Sequence, residues 1–509
     1  MEKLAGVGTM IGRTIATMVV GLLAGAALGQ VSQAPQKTVA PAPLPLAVAP
    51  LKIDGPYGST IRLEASNRLR GEFVDWFATP ATSTTPTYRY DFLGNRLQLG
   101  ARVSREPYEM FVQFQSSTLA EVPDDATGVG SIYYANTRRH SQNGAILRQA
   151  WLSVKRPFGV DGISVKGGRM LYSDAVDAPA THANLKWLQS QRLSQRLFGP
   201  FDYPHIGRSF DGGQIGYDVG LLNLTGFGFV PTYGGFEVDA NRELDITIGG
   251  LALNLKESEQ LGPMIGRLFW YYYGDRRDVV FLDNRPLPRR QADRGQSADL
   301  HTIGAHLVRL QSLGPGSADG LLYAFGQFGD WQSQQQRAWA YGAEMGYRFD
   351  EIWAKPWMRA GINSASGDTN PNDSQHGTFF QMLPTAWLYA QFPFYNMMNN
   401  QDVFVQWLAD PHPMFSLRLD LHWLRLNSSR DLAYFGGGAT KNDFFGFGGI
   451  NGSGRNELAY VAHTMLTFRP TAFLTLNGLY CYAWGQGVIN QAYAGRGGNY
   501  GFLEALVAF

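Results

Sequence analysis

The sequence predicts an all-β chain whose antiparallel strands close into one membrane-spanning barrel, and three observations carry that expectation. Long segments alternate apolar and polar residues with a period of two. Aromatic residues and glycine are abundant while charge is sparse. No segment beyond residue 30 is long and apolar enough to cross a bilayer as a helix, so a membrane-bound form has to cross with strands.

Composition sets the limits. The 509 residues include Gly 60, Phe 31, Tyr 24 and Trp 12, with a charged fraction of 17%, below the quarter usual in soluble domains. A net charge of +1 gives no global pull toward nucleic acid, so electrostatic function has to come from where the charges sit. The single cysteine, Cys481, cannot form an internal disulfide, and in the apolar run "LTLNGLYCYAWG" it reads as a small buried side chain. The 9 histidines are scattered singly, and His301 and His306 fall on opposite faces of one strand. No zinc-type ligand set is visible along the chain, and neither metal nor cofactor is implied.

Taken in order, residues 1–29 read as an export signal, with Lys3 and Arg13 ahead of "TIATMVVGLLAGAALG" and small residues Ala27 and Gly29 before the cut. Residues 30–56 are rich in Pro, Ala and Val and read as a periplasmic tether, first as a spacer and second as a docking strand for an export complex. Residues 57–509 form the barrel.

The first strand sets the pattern. In "IRLEASNRLRGEFVDWF" (61–77), Arg62, Glu64, Ser66, Arg68, Arg70 and Glu72 alternate with Ile61, Leu63, Ala65, Leu69 and Phe73. Leu97, Leu99, Ala101 and Val103 repeat it against Arg96, Gln98 and Arg102. So do Trp339, Tyr341, Met345 and Tyr347 against Glu344 and Arg348, and Leu417, Leu419, Leu421 and Trp423 against Arg418, Asp420 and His422. Soluble strands average ~5–6 residues, whereas these runs suit the ~9–11 residues of a tilted bilayer crossing. The apolar row then faces lipid and the charged row an enclosed wet interior, with Trp76 and Tyr88 placed in interfacial aromatic girdles. At the C-terminus, "NYGFLEALVAF" keeps Gly501, Leu503, Val507 and Phe509 in one register and resembles the terminal strand read by barrel-insertion machinery.

Short turns such as "SREPYE" and "FRPTAF" alternate with excursions at 118–143, 171–208, 274–297, 364–400 and 427–453, which predicts short periplasmic turns and long extracellular loops. The count is about 18 strands, even as expected for a single-chain bacterial barrel, and wide enough to leave a channel unless loops plug it.

Enzyme-like signals fail. "GFGGINGSG" does not lead from a strand into a helix, as a phosphate cradle requires. "DTNPND" has Asp373 where a calcium loop needs Gly, and Phe379 where it needs Glu. His422 beside Asp420 is the nearest approach to a catalytic pair, and lumen polarity explains both.

Four blocks resemble the alginate-export family of porin-like outer-membrane barrels. They are "LRQAWLSVKRPFGVDGISVKGGRMLYSD" with Gly168-Arg169, "HIGRSFDGGQIGY" with Arg208, Phe210, Asp211 and Gly212, "SGDTNPNDSQHGTFFQMLPTAWLY", and the Gly-rich loop leading into Gly454, Arg455, Glu457 and Leu458. The resemblance implies a Gram-negative outer-membrane location and passive export of an anionic polysaccharide. A polyuronate carries one carboxylate per sugar, and the arginine fork meets a carboxylate with two parallel bonds. The expected pore lining is therefore Arg62, Arg68, Arg70, Arg96, Arg102, Arg169, Arg192, Arg196, Arg208, Asp211, Glu344, Arg348, Arg359, Arg418, Asp420, Arg455 and Glu457. Arg192 and Arg196 reach the constriction if the 171–208 excursion folds inward. The alternative is cross-strand pairing that braces a polar lumen or, for Arg169, Arg208 and Asp211, loop packing through Arg–Asp pairs such as Asp211 with Arg208. The expected partners are the polysaccharide, outer-membrane lipid and lipopolysaccharide, and the insertion machinery. A diffusion porin for small anions or oligosaccharides is the alternative, ahead of an outer-membrane enzyme or adhesin.

Overall fold

The computed structural model describes residues 51–509. The predicted signal segment lies outside these residues, as does the predicted tether up to residue 50. The last tether residues are ordered into a short strand, Lys52–Asp54, antiparallel to the start of the barrel.

Eighteen antiparallel strands form the wall. They are β1 (Thr60–Asp75), β2 (Arg89–Arg105), β3 (Tyr108–Ala120), β4 (Gln142–Lys155), β5 (Ile163–Met170) and β6 (Phe210–Val219). Next come β7 (Leu222–Pro231), β8 (Ile246–Leu255), β9 (Met264–Asp275), β10 (Ala298–Leu313), β11 (Gly316–Trp331) and β12 (Gln334–Phe349). The last six are β13 (Trp357–Ala365), β14 (Asn400–His412), β15 (Phe415–Leu426), β16 (Glu457–Phe468), β17 (Leu474–Gly485) and β18 (Gly497–Ala508). Pairing of β18 with β1, from Ser66↔Ala508 to Asp75↔Asn499, closes the ring and leaves no open edge.

The alternation explains the sidedness. On β1, Leu63, Leu69 and Phe73 are exposed on the outer surface while Arg68, Arg70 and Glu72 are buried inside. Leu421, 57% exposed, and the buried Asp420 and His422 repeat this on β15. Outward Trp339, Trp423, Tyr460 and Trp484 sit toward the long-loop ends of their strands, where an interfacial girdle belongs. Trp76 does not join them: it follows the last residue of β1, turns inward and packs on Phe77, Phe392 and Phe394.

The five predicted excursions correspond to loops over 121–141, 171–209, 276–297, 366–399 and 427–456. All lie at one end, opposite tight turns such as Gly220–Leu221 and His412–Phe415. That end also has one tight connection, between Trp331 and Gln334.

The interior departs from the predicted wet channel. Three loops fold inward and pack on one another: L3 (171–209), L7 (366–399) and L8 (427–456). L3 carries a short helical stretch from Ala183 to Leu193 and bridges to L7 through Phe198↔Leu383. L8 contributes a two-stranded ribbon, Leu432–Gly436 with Phe447–Asn451. Leu188, Leu197, Phe198, Phe379, Leu383 and Tyr389 are fully buried, so part of the lumen is a dry plug. Those side chains leave water only by packing on the other loops and the inner wall, which is the driving force for the fold-in.

Candidate functional site

L3 crosses the lumen between nearly opposite walls, and buried arginines anchor it at both ends. At one wall Glu344 on β12 is the hub. Arg192 of L3 donates to both its oxygens at 2.9 and 2.8 Å, Arg359 of β13 donates at 3.1 Å, and Arg196 of L3 at 3.3 Å. Arg359 also pairs with Asp319 at 3.0 Å. Arg196 lies over the Tyr389 ring at 3.8 Å, a cation–π contact that ties L3 to L7. Three arginines thus meet two carboxylates in a group shielded from solvent.

At the facing wall the carbonyls of residues 202–205 serve as acceptors. Arg68 of β1 donates to Asp202 O at 3.0 Å and Pro204 O at 2.7 Å, and Arg70 to Tyr203 O at 2.8 Å. Arg70 also holds Glu504 of β18 with Nε at 2.8 Å and Nη2 at 2.7 Å, pinning the closing seam. Arg96 reaches the Asp202 carboxylate at 3.3 Å and Arg148 reaches it at 2.7 Å. Glu72 bonds His205 Nε2 at 2.8 Å. Here four arginines face three carboxylates.

The remaining predicted residues divide by depth. Toward the short-turn end, Arg102 bridges Glu64 and Glu109, Arg348 donates to Asn184 of L3 at 2.7 Å, and Arg418 grips Asp420 at 2.6 Å while reaching Leu388 O of L7. Arg62 is exposed opposite Arg102. At the long-loop rim Arg455 and Glu457 are exposed beside Gly487.

Two of the family-like blocks prove to be one unit. Arg169 on β5 and Asp211 on β6 are direct cross-strand partners, joined by Nε at 2.7 Å and a second bond from Nη2. The adjacent pair is Gly168↔Gly212, with φ of +120° and +151°. A β-carbon at Gly168 would collide with Ala150 O, and one at Gly212 with Gly228 O. Glycine is therefore required where the wall bends to launch and receive L3. Gly212→Ala is expected to lower stability by about 1–3 kcal/mol, read as an earlier urea midpoint of the folded barrel on a gel.

Arg208 is the exception to the pairing. It is fully buried, donates to Gly437 O of L8 at 2.6 Å, and leaves Nε and Nη1 unbonded, with no carboxylate in ion-pair range among the described residues. Burial, with Arg148 and Arg277 nearby, pulls its pKa down to about 9. A third anchor, Arg267 with Asp177, pins the start of L3 to β9.

Sequence reasoning missed Arg148, Asp174, Asp202, His205 and Arg267. Asp174 of L3 is buried with Oδ1 unbonded, and burial raises its pKa from 3.8 to about 7. A carboxyl raised in the docked state keeps its proton there while the undocked loop releases it. L3 docking therefore weakens as pH climbs from 3.8 to about 7 and stays flat above. Asp431 of L8, raised to about 6 by burial, acts in the same sense. Wild-type conductance is expected to be higher at pH 8 than at pH 5 in planar bilayers, and Asp174→Asn to flatten the difference.

A cavity of about 260 Å³ opens among Trp76, Phe77, Tyr203, Trp387, Phe392 and Phe394, close to the residue 202–205 crossing. Its wall is mostly apolar and rich in aromatic rings, a surface on which a ring can stack.

A family model described as alginate export matches residues 61–465. Among solved structures, Acinetobacter baumannii OccAB2 superposes with a TM-score of 0.56 at 9% identity, covering 88% of this chain and 98% of that one. Pseudomonas aeruginosa OccK9 (OpdG) gives 0.54 at 10% identity, and P. aeruginosa OpdK, solved with vanillate, gives 0.53 at 11%, both with the same coverage. No curated protein sequence matches the chain. The likeness identifies this chain's closed antiparallel wall of 18 strands as a porin-like outer-membrane fold.

Proposed function

The chain belongs to the alginate-export family of outer-membrane β-barrels, and from that premise we propose that it is a passive conduit for an anionic exopolysaccharide, alginate or a related polyuronate. The observation that carries this reading is a local surplus of arginine over carboxylate where L3 meets the wall: one at the Glu344 hub, one at the residue 202–205 crossing, and Arg208 with no carboxylate. Such a surplus favours anions, while the interspersed carboxylates keep the polymer from sticking. Uronate groups first meet the arginines at the short-turn end, Arg62, Arg102, Arg348 and Arg418. They then compete with Glu344 for Arg192 and Arg196, so one carboxylate replaces another and L3 is released from the wall. No bond to the polymer is made or broken, and the barrel acts as a channel without catalysis.

The aromatic cavity favours a second reading, an entry route for small ring-bearing anions, and OpdK solved with vanillate is in keeping with it. Planar-bilayer recordings separate the two. Micromolar polyuronate added to one side should block the current, with block weakening as salt rises. Current untouched by polyuronate but reduced by a small aromatic acid would favour the second reading, and insensitivity to both would count against each.

A further inference from the structure

The wall beneath L7 holds a side-chain group that the transport reading does not use. Asp420 and His422, two residues apart on β15, both point inward, and His463 on β16 is the direct cross-strand partner of Asp420. All three are about 2% exposed. His463 Nε2 lies 3.2 Å from Asp420 Oδ2, and His422 Nε2 lies 3.8 Å from it. One ligand atom from each residue falls within 4.8 Å of the others. In a tetrahedral zinc site with bonds near 2.0–2.1 Å, ligand atoms stand about 3.3 Å apart, so the observed spacings bracket what the metal needs.

The surroundings have the form of a metal site's outer layer. His422 Nδ1 donates to Asp402 Oδ1 on β14 at 2.8 Å, which orients the ring with Nε2 toward Asp420 and His463, free to bind a cation once it gives up its proton. Asp402 is itself held by Tyr395 at 3.1 Å and Asn363 at 3.3 Å. His463 Nδ1 makes no hydrogen bond, and the two buried Nε2 atoms have only the Asp420 carboxylate in reach, although underused buried nitrogens are costly. Arg418 and Gln406 hold the Asp420 carboxylate in place.

We propose that Asp420, His422 and His463 form a binding site for a divalent transition metal of the zinc class, with Asp402 as the residue that positions His422. Two imidazoles and one carboxylate suit zinc-like ions over calcium or magnesium, which take all-oxygen shells. Three protein ligands leave a fourth position for water. A metal here ties β15 to β16 below L7. The site is independent of what the channel transports.

The test uses the full-length barrel in detergent, treated with chelator, refolded with or without Zn²⁺ or Co²⁺, and desalted. The expected result is one metal per chain by elemental analysis, and the visible absorption of four-coordinate Co²⁺. His463→Gln and His422→Gln, which keep side-chain bulk, should abolish both while the protein retains the gel mobility of a folded barrel. Asp402→Asn should weaken binding about 10–100-fold. His301→Gln, on the outer face against Trp270, should leave it unchanged. Failure of the wild-type barrel to take up stoichiometric metal overturns the proposal, and so does uptake that survives both histidine substitutions. If neither variant folds, X-ray absorption of the zinc-loaded wild type decides: two imidazole ligands support the site, and none overturns it.

Discussion

Glu344→Ala is expected to raise single-channel conductance above wild type and to destabilise the docked state of L3 by about 3–5 kcal/mol, the cost of stripping one partner from a buried ion group. The carboxylate holds Arg192 and Arg196 of the loop and Arg359 of the wall, all shielded from water. Without it, Arg359 keeps Asp319, but Arg192 has no carboxylate left and Arg196 keeps only carbonyl, thioether and ring contacts. The cheapest way to rehydrate two guanidinium groups is for the loop to leave the wall. Glu344→Gln, which keeps shape and some hydrogen bonding, should fall between the two. Conductance unchanged in both variants would mean that the Glu344 hub does not restrain L3.

Leu421→Arg is the second large effect. Leu421 lies mid-strand on the outer face of β15, and a charge there has to sit in hydrocarbon, at about 2–4 kcal/mol near the bilayer midplane. The same substitution at Trp353, exposed in the 350–356 turn beyond the strands, should cost about 0–1 kcal/mol. Urea unfolding in lipid vesicles measures both. Equal costs at the two positions would contradict the assigned lipid-facing row.

What could be read from the chain was what depends on local periodicity. Leu63, Leu69 and Phe73 against Arg68, Arg70 and Glu72 needed only a period of two and a two-sided environment, so the sidedness of β1 was legible. Loop positions were legible too, because Pro, Gly and Asn clusters interrupt the alternation. How deep a loop dips was not. Trp76 looked like a girdle residue because it ends a strand, yet its partners Phe392 and Phe394 lie more than 300 residues away. Arg148 was hidden because it shares an inward row with Ile146, which blurs the polar face. The Arg169–Asp211 unit and the Asp420–His463 pair depend on cross-strand register, which no single strand records. The inward arginines were found, but their roles as loop anchors emerge only once L3 crosses the lumen.

Anion preference rests on arginine outnumbering carboxylate where L3 meets the wall, at the Glu344 hub, the residue 202–205 crossing and Arg208. Its most direct test is the reversal potential of the reconstituted barrel under a KCl gradient at low ionic strength. A potential on the chloride side, moving toward zero in Arg208→Gln, is the predicted result, and a potential on the potassium side would contradict it.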